Sequence, residues 1–209
     1  MSEPATGPIT TAHTALDTLL LGNARYLSGS PAHPNQDAHR RTELASGQKP
    51  FALIFGCSDS RVAAEIIFDR GLGDLFMVRT AGHVVDDGVL GSIEFGVEVL
   101  EVPLIVVLGH DSCGAVKATA DAYSSGEMPG GYLRKIVELV TPSLISARRR
   151  GIEEIDEIVA EHAVQTAHLL VERSPALAKR VANGTLAVVP MAYRLADGEV
   201  RVLEAPALA

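Results

Sequence analysis

The chain has 209 residues, 47% of them hydrophobic and 21% charged, with a net charge of −8, which suits one globular domain with a single core. The acidic balance and the lack of any long Lys/Arg stretch exclude a nucleic-acid partner, Arg148, Arg149 and Arg150 reading as the solvated end of a helix. No apolar run approaches the length of a membrane span, the opening MSEPATGPITTAH has neither a basic nor an apolar leader region, and two cysteines are too few for a disulfide framework, so the expectation is a cytoplasmic chain with reduced thiols.

Along the chain, residues 1–12 are rich in Pro, Thr and Gly and read as a flexible arm. Leu16, Leu19, Leu20 and Ala24 recur at helical spacing up to Leu27, and a second, polar helix is expected over 37–46, stopping at Gly47. This pair, within 13–47, has little apolar surface, so it is expected on the outside or against a partner subunit. From 48 to 209 the pattern is that of an α/β core. Phe51–Phe55, Leu75–Val78 and Leu104–Leu108 are continuous apolar runs, which suit parallel strands buried on both faces. Helical stretches are expected between them at 62–69, 89–100 and 115–124, giving right-handed strand–helix–strand units. Longer helices are expected at 132–149 and 154–173, with a short one from Ser174-Pro175 to Asn183-Gly184. TLAVVPMAYRL and VRVLE, joined through Ala196-Asp197-Gly198-Glu199, read as a hairpin with an Asp-Gly turn. The fold class is therefore α/β: a mainly parallel sheet flanked by helices, with an N-terminal helical arm and a C-terminal hairpin.

The chemistry concentrates where two of these strands end. CSDSRV follows the first strand and HDSCGA the third, and these two stretches contain both cysteines, Cys57 and Cys113. Ligands of open α/β sheets bind beyond the carboxyl ends of strands. If the two strands are neighbours, Cys57, Asp59, His110 and Cys113 converge there, and two thiolates, an imidazole and a carboxylate are ligands that Zn²⁺ favours. Two structural cysteines, or a disulfide between them, are the alternatives. Arg61 lies two residues beyond Asp59 and can pair with it through both guanidinium edges. If Asp59 binds a metal, the site is closed; if Arg61 holds it away, a position opens for water. His83, in TAGHVVDDG, reads as a structural or surface histidine rather than a proton relay. GLGDLF lacks the third glycine and the following helix of a dinucleotide fingerprint.

CSDSR followed by GHDSCGA resembles the β class of carbonic anhydrases, in its plant-like, bacterial subtype. The likeness continues through ALDTLLLGNARYLSG, AAEIIFDRGLGDLFMVRTAGHVV, LGSIEFGVEVLEVPLIVVLGH, PGGYLRKIVELV and the closing hairpin, from Leu16 to Leu203. It implies a zinc enzyme that hydrates CO2 reversibly to bicarbonate and a proton, through attack by zinc-bound hydroxide. The implied zinc ligands are Cys57, His110 and Cys113, with Asp59 a fourth ligand only in a closed state, and the implied catalytic dyad is Asp59 with Arg61. Gln48 matches a substrate hydrogen-bond donor, Phe76 an apolar pocket residue, and Phe95 a position often occupied by Tyr; Gly114 is expected to allow close approach of the backbone to the site. The family's pocket forms between subunits, which implies a homodimer or a larger homo-oligomer, a tetramer foremost. The bicarbonate-inhibited branch has Trp three residues before the first cysteine; here Ile54 stands there and the chain has no Trp, so an open site without that regulatory pocket is expected. Hydrolysis of COS or CS2 on the same scaffold, and a non-catalytic zinc-binding regulatory protein, are the rival readings.

Overall fold

A computed structural model describes residues 9–205. Five strands form one sheet in the order β2-β1-β3-β4-β5. They are β1 (Ala52–Cys57), β2 (Leu75–Thr80), β3 (Leu104–His110), β4 (Ala187–Tyr193) and β5 (Val200–Val202). The first four are parallel and only β5 is antiparallel, against the end of β4. Every residue of β1 and β3 is buried, the outcome that their unbroken apolar runs predict for strands covered on both faces.

Alternation along those strands feeds two apolar layers. Ile54, Val106 and Leu108 face a layer that includes Leu16, Leu19, Ile67 and Phe68. Leu53, Phe55, Ile105 and Val107 face another, with Ile93, Ala163, Leu170 and Leu177. Burying one such side chain stabilises the fold by about 1.5–3 kcal/mol, so these two layers dominate its stability. The first layer is closed by α1 (Ala12–Leu27) and the single turn α3 (Ala64–Ile67), and α2 (Ala38–Glu43) lies outside it without a buried residue. The second is closed by α4 (Asp87–Glu94), which runs into a π-helical turn over Phe95–Val99. Next come α5 (Gly114–Ser125), α6 (Leu133–Arg149), α7 (Ile155–Arg173) and α8 (Pro175–Ala182). A third cluster lies at the carboxyl edge of the sheet and joins Cys57 and Cys113 to Val116, Val140, Leu144 and Ile158.

Three details depart from the sequence reading. The arm ends earlier than residue 12, because Thr11 caps α1 through its side chain and Ala12 opens the helix; residues 1–8 lie outside the described residues. Helix α1 is also not an external element. It buries Ala15, Leu16 and Leu19, and the Asn23 side chain donates to Ile67 O at 3.1 Å and Gly198 O at 2.9 Å while accepting from Val200 N at 3.1 Å. A small apolar stripe suffices because a buried amide supplies the rest of the attachment. The hairpin, third, turns through a loop from Arg194 to Glu199, closed by Arg194 N donating to Glu199 O at 2.9 Å. The Arg194 guanidinium, paired with Asp197 and Glu199, favours this wider loop over a two-residue turn.

Gly22 sets how closely α1 can approach. A Cβ there would stand 1.8 Å from the carbonyl oxygen of Phe68. In an exposed helix Gly→Ala would gain about 1 kcal/mol, but here the clash is with backbone that cannot swing aside. Gly22→Ala is therefore expected to destabilise the protein by about 1–3 kcal/mol, read as a lower urea midpoint; a raised midpoint would contradict this packing.

Candidate metal centre and active site

Parallel pairing of β1 with β3 sets Gly56 opposite Leu108, so Cys57 and His110, the last residues of their strands, emerge side by side at the carboxyl edge. Cys113 then caps the amino end of α5. The ligand atoms of Cys57, His110 and Cys113 lie within 4.8 Å of one another, and all three residues are buried. Both cysteines are free, so the disulfide alternative is not realised.

The local backbone is shaped for this convergence. Ser112 takes a left-handed conformation, φ 53°, and its N–H donates to Asp156 Oδ1 on α7 at 2.8 Å. That bend lets two residues three apart face one point. His110 Nδ1–H donates to Asp111 O at 2.8 Å, which leaves Nε2 with the lone pair, and Nε2 is buried without any partner. A buried imidazole nitrogen without a partner is costly. The thiols show the same deficit of positive charge. Cys57 is pulled down to about 4, chiefly by the hydrogen bond from Cys113 and against the effect of burial. The Cys113 thiol is pushed up by that same hydrogen bond, with burial adding to it. The two buried thiols perturb each other in opposite directions, and two thiolates side by side in this pocket would be costly without a cation. Two sulfurs and one imidazole nitrogen, each with a lone pair to give, fit a divalent metal of the zinc type.

Asp59 lies outside this three-residue cluster. Arg61 donates to it three times: backbone N to Oδ1 at 2.9 Å, Nε to Oδ1 at 2.9 Å and Nη2 to Oδ2 at 2.7 Å. The pair forms as the sequence spacing suggests, and Arg61 holds the Asp59 carboxyl far below the usual carboxylate range. Arg79 braces the same turn from β2, donating to Cys57 O at 2.9 Å and Asp59 O at 2.6 Å. Sequence reasoning passed over Arg79; the one signal was a lone cation ending the apolar run LFMV.

The remaining sequence-predicted residues lie elsewhere in the chain. Gln48 is exposed and precedes the amino end of β1, the end opposite Cys57. Phe76 pairs in register with Leu53, near that same end, and stacks on Phe95 at 6.1 Å; Phe95 is 45% exposed. Gly114 is exposed, and a side chain there would meet nothing within 4 Å, so within this chain the position has no steric need for glycine. The tight glycine is Gly82, at φ 66° with a hypothetical Cβ 2.7 Å from that of Ala115. His83 is wholly buried, its ring 4.4 Å from that of His162, so it belongs to the structural reading and not to the surface one.

A five-stranded, largely parallel sheet with a buried Cys-His-Cys cluster at its carboxyl edge and an Asp–Arg pair beside it defines a metal-dependent α/β protein. Comparison with known proteins makes this specific. The carbonic anhydrase family model matches residues 52–200. A carbonic anhydrase of Mycolicibacterium smegmatis is 58% identical over 181 residues, 87% of this chain and 88% of that protein. Carbonic anhydrase 2 of Mycobacterium tuberculosis is 55% identical over 195 residues, covering 93% and 92%. Among solved structures, a tetrameric β-carbonic anhydrase of Sordaria macrospora superposes with TM-score 0.73 at 25% identity, covering 93% of this chain and 97% of that one. A Coccomyxa β-carbonic anhydrase in complex with acetazolamide gives 0.71 at 26% identity, covering 91% and 87%. The chain belongs to the carbonic anhydrase family and is an enzyme of its β class. Among the described residues no helix is long and apolar enough to cross a membrane.

The buried histidines make a pH prediction. Burial lowers His162 from the ordinary 6.5 to about 4 and places His83 well below its usual value. Below pH 6.5 the unfolded chain takes up protons that the folded chain refuses. The stability contributed by these two histidines is therefore complete above pH 6.5 and is lost as pH drops towards 4, His162 alone accounting for about 3 kcal/mol. Urea titrations of chelator-treated protein at pH 7.5 and 4.5 are expected to show this loss, and His162→Gln should reduce it; an unchanged difference in the variant would contradict the assignment.

Proposed function

We propose that this enzyme performs the reversible hydration of CO2 to bicarbonate and a proton at a zinc ion held by Cys57, His110 and Cys113. The observation that carries the reading is the buried Cys-His-Cys cluster, with its partnerless imidazole nitrogen, beside a carboxylate already engaged by arginine. A bound zinc lowers the pKa of a coordinated water to about 7 and so supplies a hydroxide nucleophile at neutral pH.

The chain's own groups do the rest. The two cysteines and His110 Nε2 are the donors, and the bond from His110 Nδ1–H to Asp111 O fixes the ring's tautomer and orientation. Asp59, oriented by three hydrogen bonds from Arg61, would accept a hydrogen bond from the nucleophile that a bound metal supplies and so direct it towards CO2. Because Arg61 occupies both carboxylate oxygens, Asp59 is drawn away from the metal, which favours an open site over the closed, regulatory alternative. A site built on free thiolates suits a reducing compartment, so the cytoplasm is the proposed location.

The pocket is proposed to need a second copy of the chain. Gln48, Phe76 and Phe95 lie towards the amino end of β1, and at about 3.3 Å per residue the strand separates that end from Cys57 by more than a side chain's reach. A neighbouring subunit can bring its Gln48 donor and its phenylalanine wall to this Asp59. A homodimer is then the minimum, and a tetramer like the one described for the Sordaria macrospora structure is the proposed assembly.

Metal analysis with stopped-flow CO2 hydration across pH tests the chemistry. Activity is expected to rise with pH through and above neutrality. Cys57→Ala should abolish metal binding, while Arg61→Ala should retain zinc and lose about 10- to 100-fold in rate, its pH midpoint unmoved because Asp59 stays ionised at neutral pH without its partner. Equal loss of zinc and rate in Arg61→Ala would reject the role given to that arginine. Parallel assays on COS and CS2 separate the hydrolase alternatives.

A mixing experiment tests the shared pocket. Gln48→Ala and Arg61→Ala subunits, unfolded and refolded together, are expected to regain activity above either parent, since mixed dimers rebuild one intact site. Activity no greater than the parents' average would place all catalytic groups on one chain.

A further inference from the structure

Behind Cys57 runs a chain of buried polar contacts that the reaction itself does not use. The Gly82 N–H donates to Cys57 Sγ at 3.3 Å. The Gly82 carbonyl accepts from His162 Nε2–H at 2.9 Å. Burial keeps His162 neutral, so with Nε2 protonated Nδ1 is the acceptor, and the Ser143 hydroxyl donates to it at 2.8 Å. His162 and Ser143 are 3% and 4% exposed. They come from different helices, α7 and α6, and Ser143 holds the ring that meets Gly82, a glycine in a left-handed conformation.

Left to itself, that glycine would not hold one orientation, because glycine visits both signs of φ readily. Two bonds fix it, one at each of its peptide groups. The His162 bond anchors the carbonyl side, and this aims the amide side at the sulfur. An N–H pointed at a thiolate withdraws charge from it and fixes its direction, and outer contacts of this kind tune both the affinity and the electronic character of a metal–sulfur bond. Cys113, by contrast, receives no side-chain support of this kind from α6 or α7. Helix α7 also carries Asp156, which holds the Ser112 amide between the other two cluster residues. One helix therefore braces both halves of the cluster.

We propose that His162, oriented by Ser143, is a positioning residue for the metal centre: through Gly82 it sets the direction and donor strength of the Cys57 thiolate. This rests on the zinc reading given above.

The test uses the full-length protein loaded with Zn²⁺ or Co²⁺. Zinc affinity is measured by chelator competition, and the thiolate-to-cobalt charge-transfer band reports the sulfur directly. His162→Phe, which fills the space without a donor, is expected to weaken zinc binding about 10- to 100-fold and to shift the band. His162→Gln, which keeps a donor near the Nε2 position, is expected to return both to near wild type. Ser143→Ala, a small change that leaves the fold in place, is expected to shift the band in the same direction by a lesser amount, and it decides the matter if His162→Phe does not fold. Wild-type affinity and an unmoved band in Ser143→Ala and in any folded His162→Phe overturn the proposal, as do equal losses in His162→Phe and His162→Gln, which would mean that ring volume and not the donor is what counts. Failure of the wild-type protein to bind either metal would instead sink the zinc reading itself, and with it this inference.

Discussion

The parallel pairing of β1 with β3 is the contact on which the rest of this protein depends. It is a backbone interaction between two strands buried on both faces, and a slip in its register would be resisted by both apolar layers together. Because the strands run in the same direction, their last residues leave the sheet at the same edge. Cys57 and His110 become neighbours although 52 positions separate them in the chain. Nothing about either residue alone brings this about. The apolar runs that precede them do, by making the strands stable nowhere except side by side in the core.

Electrostatics then dictates what can occupy that edge. Two buried sulfurs within reach of each other, an imidazole nitrogen with no hydrogen-bond partner and a carboxylate close by would be a poor arrangement for a protein meant only to be stable. Arg61 relieves Asp59, whereas no cationic side chain is paired with the cluster among the described residues; the Gly82 N–H on Cys57 Sγ is only a partial compensation. The asymmetry is informative. A carboxylate already neutralised by arginine has little to offer a cation, whereas the cluster has one backbone N–H on Cys57 and no cationic partner. On the proposed reading, the Asp–Arg pair would keep Asp59 out of the metal's coordination as well as serve the reaction.

Much of this was legible in the sequence for a definite physical reason. Continuous apolar runs mark doubly covered strands, and residues just past such runs must surface at the carboxyl edge, so Cys57, His110 and Cys113 could be placed before any coordinates. The Asp59–Arg61 pair is legible because two residues of separation in a turn leave the side chains few other choices. The attachment of α1 was not legible, because it depends on Asn23, one buried amide whose partners lie 44 and 175 positions away. His162 was not legible either: its role comes through a peptide group of Gly82, and backbone partners leave no spacing pattern. Gly82 was not legible as a crowded glycine, because its neighbour Ala115 lies 33 positions away and crowding of that kind leaves no local pattern.

The positions of Gln48, Phe76 and Phe95 bear on why such a protein would assemble at all. A small nonpolar substrate calls for a dry wall and few donors, and a sheet edge open to solvent provides neither. A sheet presents two ends, and this chain places its Cys-His-Cys cluster and the Asp–Arg pair at one and its exposed phenylalanine near the other. Folding alone cannot bring them together, since the strand between them is rigid and fully paired on both sides. Association could, if a two-fold axis perpendicular to the strands set the amino end of one sheet against the carboxyl end of its mate. Apolar surface at Phe95 and Val99, 45% and 61% exposed in the single chain, would supply hydrophobic free energy if such a contact covered it. On this view catalytic geometry and oligomer stability draw on the same residues, so changes at that surface should alter both together.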